Sequence, residues 1–219
     1  APGDVDFAAG STGLGIEWHS AADFLADGLK MSASFSTDNG AAKTETARLE
    51  NSYGVGATYV TTAGDTTLTI GGGYGSGDVV TSGTASTTDK AGANVGVSAV
   101  TGDLTVGVGY GNGDTFVANN AGTNVNTQVD GEVMKAGISY VTGDITLAIG
   151  VTSGEAKDNG FGSAGTTDDS ADTTGASVTY AVASGVSAVI GYTQVDRNDE
   201  GASTTVGGSA WYVGATMSF

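Results

Sequence analysis

Ala99-Val100-Thr101-Gly102-Asp103-Leu104-Thr105-Val106 returns further along the chain as Tyr140-Val141-Thr142-Gly143-Asp144-Ile145-Thr146-Leu147. In both, apolar and small polar residues alternate up to a Thr-Gly-Asp corner, and a second alternating run leaves it in step with the first. Period-two alternation on two arms, with turn chemistry between them, is a β-hairpin signature. Looser versions surround Thr62-Ala63-Gly64-Asp65 and Val182-Ala183-Ser184-Gly185. Repeated hairpins in one chain predict an antiparallel barrel, and composition bears on which kind.

The chain has 219 residues, a length that one all-β domain commonly fills. It holds 38 glycines and 1 proline, and its charged fraction is 14% against roughly 25% in ordinary soluble domains. So little charge leaves little with which to cover a water-facing surface. Cysteine is absent, which excludes disulfides and cysteine-ligated metals. A net charge of -17 argues against nucleic acid, whose phosphates would be repelled. The acids gather in a few stretches and avoid the alternating runs, as expected if those runs lie where charge is costly. No apolar run approaches the roughly 18 residues of a transmembrane helix. The start also lacks a charged-then-apolar leader, so Ala1 reads as a processed or internal start.

Alternation predicts eleven strands and no helix. Leu14 to His19 is a short first strand, and Leu29 to Ser36 a second. Tyr53, Val55, Ala57 and Tyr59 mark the apolar face of the third, and Leu68, Ile70, Gly72 and Tyr74 that of the fourth. The runs at Ala91–Ala99, Leu104–Tyr110, Met134–Tyr140, Ile145–Val151, Ala176–Val182, Val186–Tyr192 and Trp211–Phe219 supply the rest. Polar stretches at Asp38–Thr46, Ser76–Asp89, Asn112–Gly131 and Ser153–Thr173 read as loops.

Connections thus alternate between short turns and long polar loops, the layout of outer-membrane barrels. The polar face of the strands is Gly, Ser and Thr, too small and wet for a packed core; the bulkier apolar face suits lipid. Tyr59, Tyr140 and Tyr180 precede short turns, while Tyr74, Tyr110 and Tyr192 lie several residues beyond one, all on the apolar face. With Trp18, Trp211 and Phe219 they predict two aromatic girdles. The expected fold is an all-β transmembrane antiparallel barrel over residues 1–219, in the bacterial outer membrane.

These features, ending in Trp211-Tyr212-Val213-Gly214-Ala215-Thr216-Met217-Ser218-Phe219, resemble the general porins of alphaproteobacteria, the Rhodobacter type. The resemblance implies a sixteen-stranded trimeric barrel whose third loop folds inward and narrows the pore, with terminal Phe219 as an assembly signal. Leu14 to Ser20, Leu29 to Phe35 and the hairpin Tyr53 to Tyr74 resemble the part that follows that loop. Eleven strands depart from the family's even number. The expectation is therefore a C-terminal portion, with residues 1–11 a loop remnant and an N-terminal fragment of the same porin as a partner. The alternative is a small complete barrel with a further strand at Val5 to Ala9.

A diffusion pore needs a wet lumen and a field, not a catalytic group. Parity places Glu17, His19 and Lys30 near the periplasmic mouth of the lumen, Lys135 deeper, and Arg48, Lys90 and Arg197 toward the outer rim, with Asn94 also lining the pore. His19 is the only histidine and no activated-serine motif accompanies it, so no enzyme is expected. Asp158, Asp168, Asp169 and Asp172 could bind Ca²⁺, though without EF-hand spacing, and calcium could bridge such loops to lipopolysaccharide. No other cofactor is implied. Gly72 to Asp78 resembles a calcium-binding solenoid nonapeptide but does not recur in tandem. A secreted β-solenoid, a surface adhesin or a structural barrel are the rival classes. The reading is a passive channel for small hydrophilic solutes and ions, with mild cation preference from the acidic loops.

Overall fold

The corners set the architecture. In the computed structural model, which describes residues 15–21, 23–38, 47–81, 87–116, 128–157, 168–199 and 204–217, three tight turns place Gly64, Gly102 and Gly143 at φ 61°, 56° and 57°. The aspartate that follows each of them has no positive φ. A left-handed glycine first and an ordinary residue second is the pattern of a type II′ turn, whose twist matches that of paired strands. At the fourth corner the positive φ falls on Gly185, at 75°, and the register shifts just after it, between Val186 and Ser187. That arrangement is a turn followed by a glycine bulge.

Eleven strands follow in chain order: β1 Gly15–His19, β2 Leu29–Asp38, β3 Ala47–Ala63, β4 Thr66–Thr81, β5 Thr87–Thr101, β6 Leu104–Phe116, β7 Gln128–Thr142, β8 Ile145–Lys157, β9 Asp168–Ala183, β10 Val186–Asp199 and β11 Thr204–Met217. They form one sheet in sequence order, every pair antiparallel. Among the described residues β1 and β11 are its two edges, so the sheet is open.

The expected number of strands and the expected faces are present, but the strands run further than their apolar residues. Ser76 to Thr81 continue β4, Asn112 to Phe116 continue β6, and Ser153 to Lys157 pair with Asp168 to Asp172 as the outer ends of β8 and β9. Ladder hydrogen bonds use the backbone, so Gly, Thr and Asp extend a strand that is already paired. The first connection is tied down separately. Gly28, at φ 79°, donates its N–H to Asp23 Oδ1 at 2.5 Å and accepts from Val60 N–H at 2.9 Å.

The two faces differ in the opposite sense from a soluble sheet. On the middle strands Val108, Met134 and Ile149 are 58%, 61% and 56% exposed, whereas Ser98 on the other face is 9% exposed. The same contrast runs along β8 and β9, where the apolar residues are exposed and the intervening Gly, Ser, Thr and Ala are half-buried. Leaving one Val, Leu or Ile in water forgoes about 1.5–3 kcal/mol. The apolar face is also continuous across strands, since Ile138 lies opposite Ile149 and Tyr140 opposite Leu147. A patch of this extent far exceeds what a soluble monomer shows.

One contact on the small-residue face locks the last hairpin. Gly191 lies directly opposite Tyr212, and a Cβ on Gly191 would fall within the Tyr212 ring. Gly191→Val therefore forces the ring off its seat, at a cost of about 1–3 kcal/mol from overpacking. Urea titration in detergent micelles is expected to show the lower midpoint, and adding Tyr212→Ala to Gly191→Val is expected to recover part of it.

Candidate functional site

The small-residue face is the candidate site. Over β4 to β8 it bounds a hollow of about 560 Å³, lined by Asn94, Ser98, Thr105, Lys135 and Thr152 together with glycines of each strand. Gly71, Gly96 and Gly109 lie on one row of register partners, so the wall there is bare backbone between polar side chains. Small residues on this side leave room for water, and their hydroxyls and amides offer hydrogen bonds to whatever passes.

Seven of the residues expected in the lumen share this face with the glycines. Glu17 and His19 on β1 lie opposite Ser34 and Ser32, and His19 Nε2 is 2.8 Å from Glu17 Oε1. Lys30 lies opposite Thr58, Lys90 opposite Gly77, and Arg197 opposite Ala171 and Val206. Lys135, exposed, stands between Gly109 and Thr152 in the middle of its strand. Asn94, expected with them, lies on the same face between Gly73 and Gly111. Lys90 is 8% exposed, so its charge is held in the wall. Arg48 pairs in register with Val80, and its side chain lies outside the described residues. Between it and the rest of β3 stands a register shift at Glu50 and Tyr53, where Asn51 takes φ 48° and donates from Nδ2 to Asp78 Oδ2 at 3.0 Å.

Apart from Tyr212, the aromatic residues of the strands occupy the other face. Tyr192 and Trp211 are directly opposite, their rings 4.9 Å apart, and Trp18 meets Phe24 edge-on at 5.8 Å. Tyr59, Tyr140 and Tyr180 stand toward the short turns; Tyr74 and Tyr110 stand toward the long loops. Phe219 lies outside the described residues. Tyr53 joins the upper row, with its ring 6.2 Å from that of Tyr74; its place on the apolar face was readable, its height was not. Upper-row hydroxyls turn toward polar partners: Tyr110 donates to Glu132 Oε2 at 2.7 Å, and Tyr192 to Gln194 Oε1 at 3.3 Å. A ring in apolar surroundings with its hydroxyl at a polar rim is how tyrosine sits at a membrane interface.

Of the four aspartates considered for calcium, the two whose side chains are described do not stand together. Asp169 and Asp172 stand three apart on β9 and so on opposite faces, Asp169 buried and Asp172 exposed. Asp158 and the Asp168 side chain lie outside the described residues. Among the described residues no three His, Cys, Asp or Glu side chains are grouped as metal ligands.

Residues 19–217 match the family described as Gram-negative porin. The chain belongs to the Gram-negative porin family. No curated protein sequence matches this porin. Among solved structures it is similar to OmpT with loop L8 deleted, an outer membrane protein of Vibrio cholerae, at 20% identity and TM-score 0.59, over 93% of this chain and 62% of that one. It is similar to the outer membrane channel DcaP of Acinetobacter baumannii at 12% identity and TM-score 0.68, over 97% of this chain and 67% of that one. Salmonella typhi OmpF, solved with daunomycin, matches at 16% identity and TM-score 0.60, over 90% of this chain and 61% of that one. The chain thus spans only about three fifths of the length of OmpT and OmpF. These likenesses show the fold, an outer-membrane β-barrel sheet, and the family places the porin in the bacterial outer membrane.

With no cysteine in the chain, single cysteines report each face cleanly. In lipid bilayers Lys135→Cys is expected to react with a membrane-impermeant thiol reagent, and Ile149→Cys to react at least about tenfold more slowly because its thiol lies in lipid, where thiolate is disfavoured.

Proposed function

We propose that this porin chain forms the greater part of a water-filled channel through which small hydrophilic solutes and ions diffuse passively. The observation that carries the proposal is the reversed exposure of the sheet: large apolar side chains outside, small polar ones around a hollow. Strand length supports it. β3 to β11 hold 13 to 17 residues each. About 9–11 tilted residues suffice to cross a bilayer, so these strands cross it and stand clear of it.

Within the family, the terminal run Trp211 to Phe219 supports the alphaproteobacterial, Rhodobacter-type assignment, and with it a homotrimer. The short Gly-Asp turns then face the periplasm and the long loops the exterior. Lipid covers the tyrosine-bearing face, and lipopolysaccharide meets its outer rim. The open edges at β1 and β11 take further strands, contributed by an N-terminal portion of the same porin, because an unpaired edge in hydrocarbon leaves backbone groups unsatisfied at several kcal/mol each. Such a pore works without catalysis or cofactor: gradients drive it, and lumen width and charge select what passes.

Planar-bilayer recording tests the proposal. Large, ohmic conductance steps are expected; a protein that inserts into the bilayer, shown by protease protection, yet stays electrically silent would favour an adhesin or structural barrel instead.

A further inference from the structure

The register sorts charge by sign. On the tyrosine-bearing face, beyond the upper aromatic row, stand Asp78, Asp89, Glu132, Glu155, Asp172 and Asp196, and three of the pairs they make are directly opposed across strands: Asp78 with Asp89, Glu132 with Glu155, and Asp172 with Asp196. On the small-residue face stand Lys30, Lys90, Lys135 and Arg197. From β4 to β10 the described carboxylate on that face is Asp169, which is 5% exposed; on β1 stands Glu17, held by His19 at 2.8 Å, and at the β3 register shift stands Glu50, opposite Asp38 on one side and Asp78 on the other. Among the described side chains from β4 to β10 the lumen wall therefore carries three cations, Lys90, Lys135 and Arg197, against one carboxylate, Asp169, while the six carboxylates named above stand on the outer face.

We propose that the channel prefers small anions, and that Lys135 is the residue that sets this preference. The inference rests on the pore reading given above. Lys30 is near one end of the sheet and Lys90 is within the wall, whereas Lys135 is exposed in the hollow, at mid-strand. From Lys30 to Lys135 the register row reads Thr58, Gly71, Gly96 and Gly109, so beside Lys135 three glycines in succession leave the ammonium open to an ion. Asn94, Ser98 and Thr152 border the same hollow and offer an anion hydrogen bonds without adding negative charge. A single ammonium about 7 Å from an ion in water changes that ion's local concentration by a factor of about three. The outer carboxylates act across the barrel wall, and at 0.1 M salt their influence fades over about 10 Å. Charges that line the lumen therefore outweigh those on the rim.

The test is the reversal potential of the full chain in a planar bilayer of zwitterionic lipid under a potassium chloride gradient. The expected sign is that of chloride preference. Lys135→Arg, which keeps the charge, is expected to retain it, Lys135→Gln to move it toward zero, and Lys135→Glu to carry it toward the cation side. Glu155→Gln, on the outer face, is expected to leave it unchanged. Conductance with a cation-favouring reversal potential, or one that Lys135→Gln and Lys135→Glu do not move, overturns this inference and leaves the pore reading standing. Absence of conductance overturns the pore reading and this inference with it.

Discussion

In hydrocarbon a backbone amide has no water to bond to, and every interior strand of this sheet meets that constraint by pairing on both sides along most of its length. The rest of the molecule depends on it. A ladder satisfied by backbone alone frees the side chains to be sorted by face, bulky and apolar to one side, small and polar to the other. The corners keep that sorting in phase. A two-residue Gly-Asp turn brings Ala99 opposite Val106 and Tyr140 opposite Leu147, so each hairpin returns with its faces aligned. One residue more or fewer would send Val and Ile to the lumen and Gly and Ser to the lipid.

Much of this was legible in the sequence because period two is a strong signal. Alternation located all eleven strands and the face of Lys135, Lys30 and Arg197, and the Thr-Gly-Asp repeat located the tight turns. Strand ends were not legible. Ser76 to Thr81 or Asn112 to Phe116 look like loop because their side chains have no preference for a strand, yet the neighbouring strand supplies hydrogen-bond partners regardless. The aspartates of 168–172 were misplaced for the same reason: set on a strand instead of a loop, Asp169 and Asp172 diverge to opposite faces. The irregularity at Asn51 gave no warning either, since asparagine is one of the few residues that adopts a positive φ at low cost.

The segregation of charge follows from the same geometry. Beyond the aromatic row the outer face meets water and headgroups, so carboxylates cost little there, and tyrosine hydroxyls and Gln194 bond to or toward them, as Gln194 Nε2 does to Asp196 Oδ2 at 2.9 Å. Within the hydrocarbon band the outer face has no charged residue on β8 from Ile145 to Val151. Cations are found on the inside, where Lys30, Lys135 and Arg197 are exposed to water and Lys90 is held in the wall. Net charge, at -17, thus says little about the field an ion meets in the lumen. The sign on each face decides that.

The central claim is that the face bearing tyrosine and tryptophan meets lipid. The chain has two tryptophans, Trp18 and Trp211, both exposed on that face, Trp211 at 72%. Fluorescence of the protein in bilayers with brominated acyl chains measures the claim directly. Strong quenching by bromine with little quenching by aqueous iodide is the predicted result; efficient iodide quenching with no effect of the brominated lipid would contradict it.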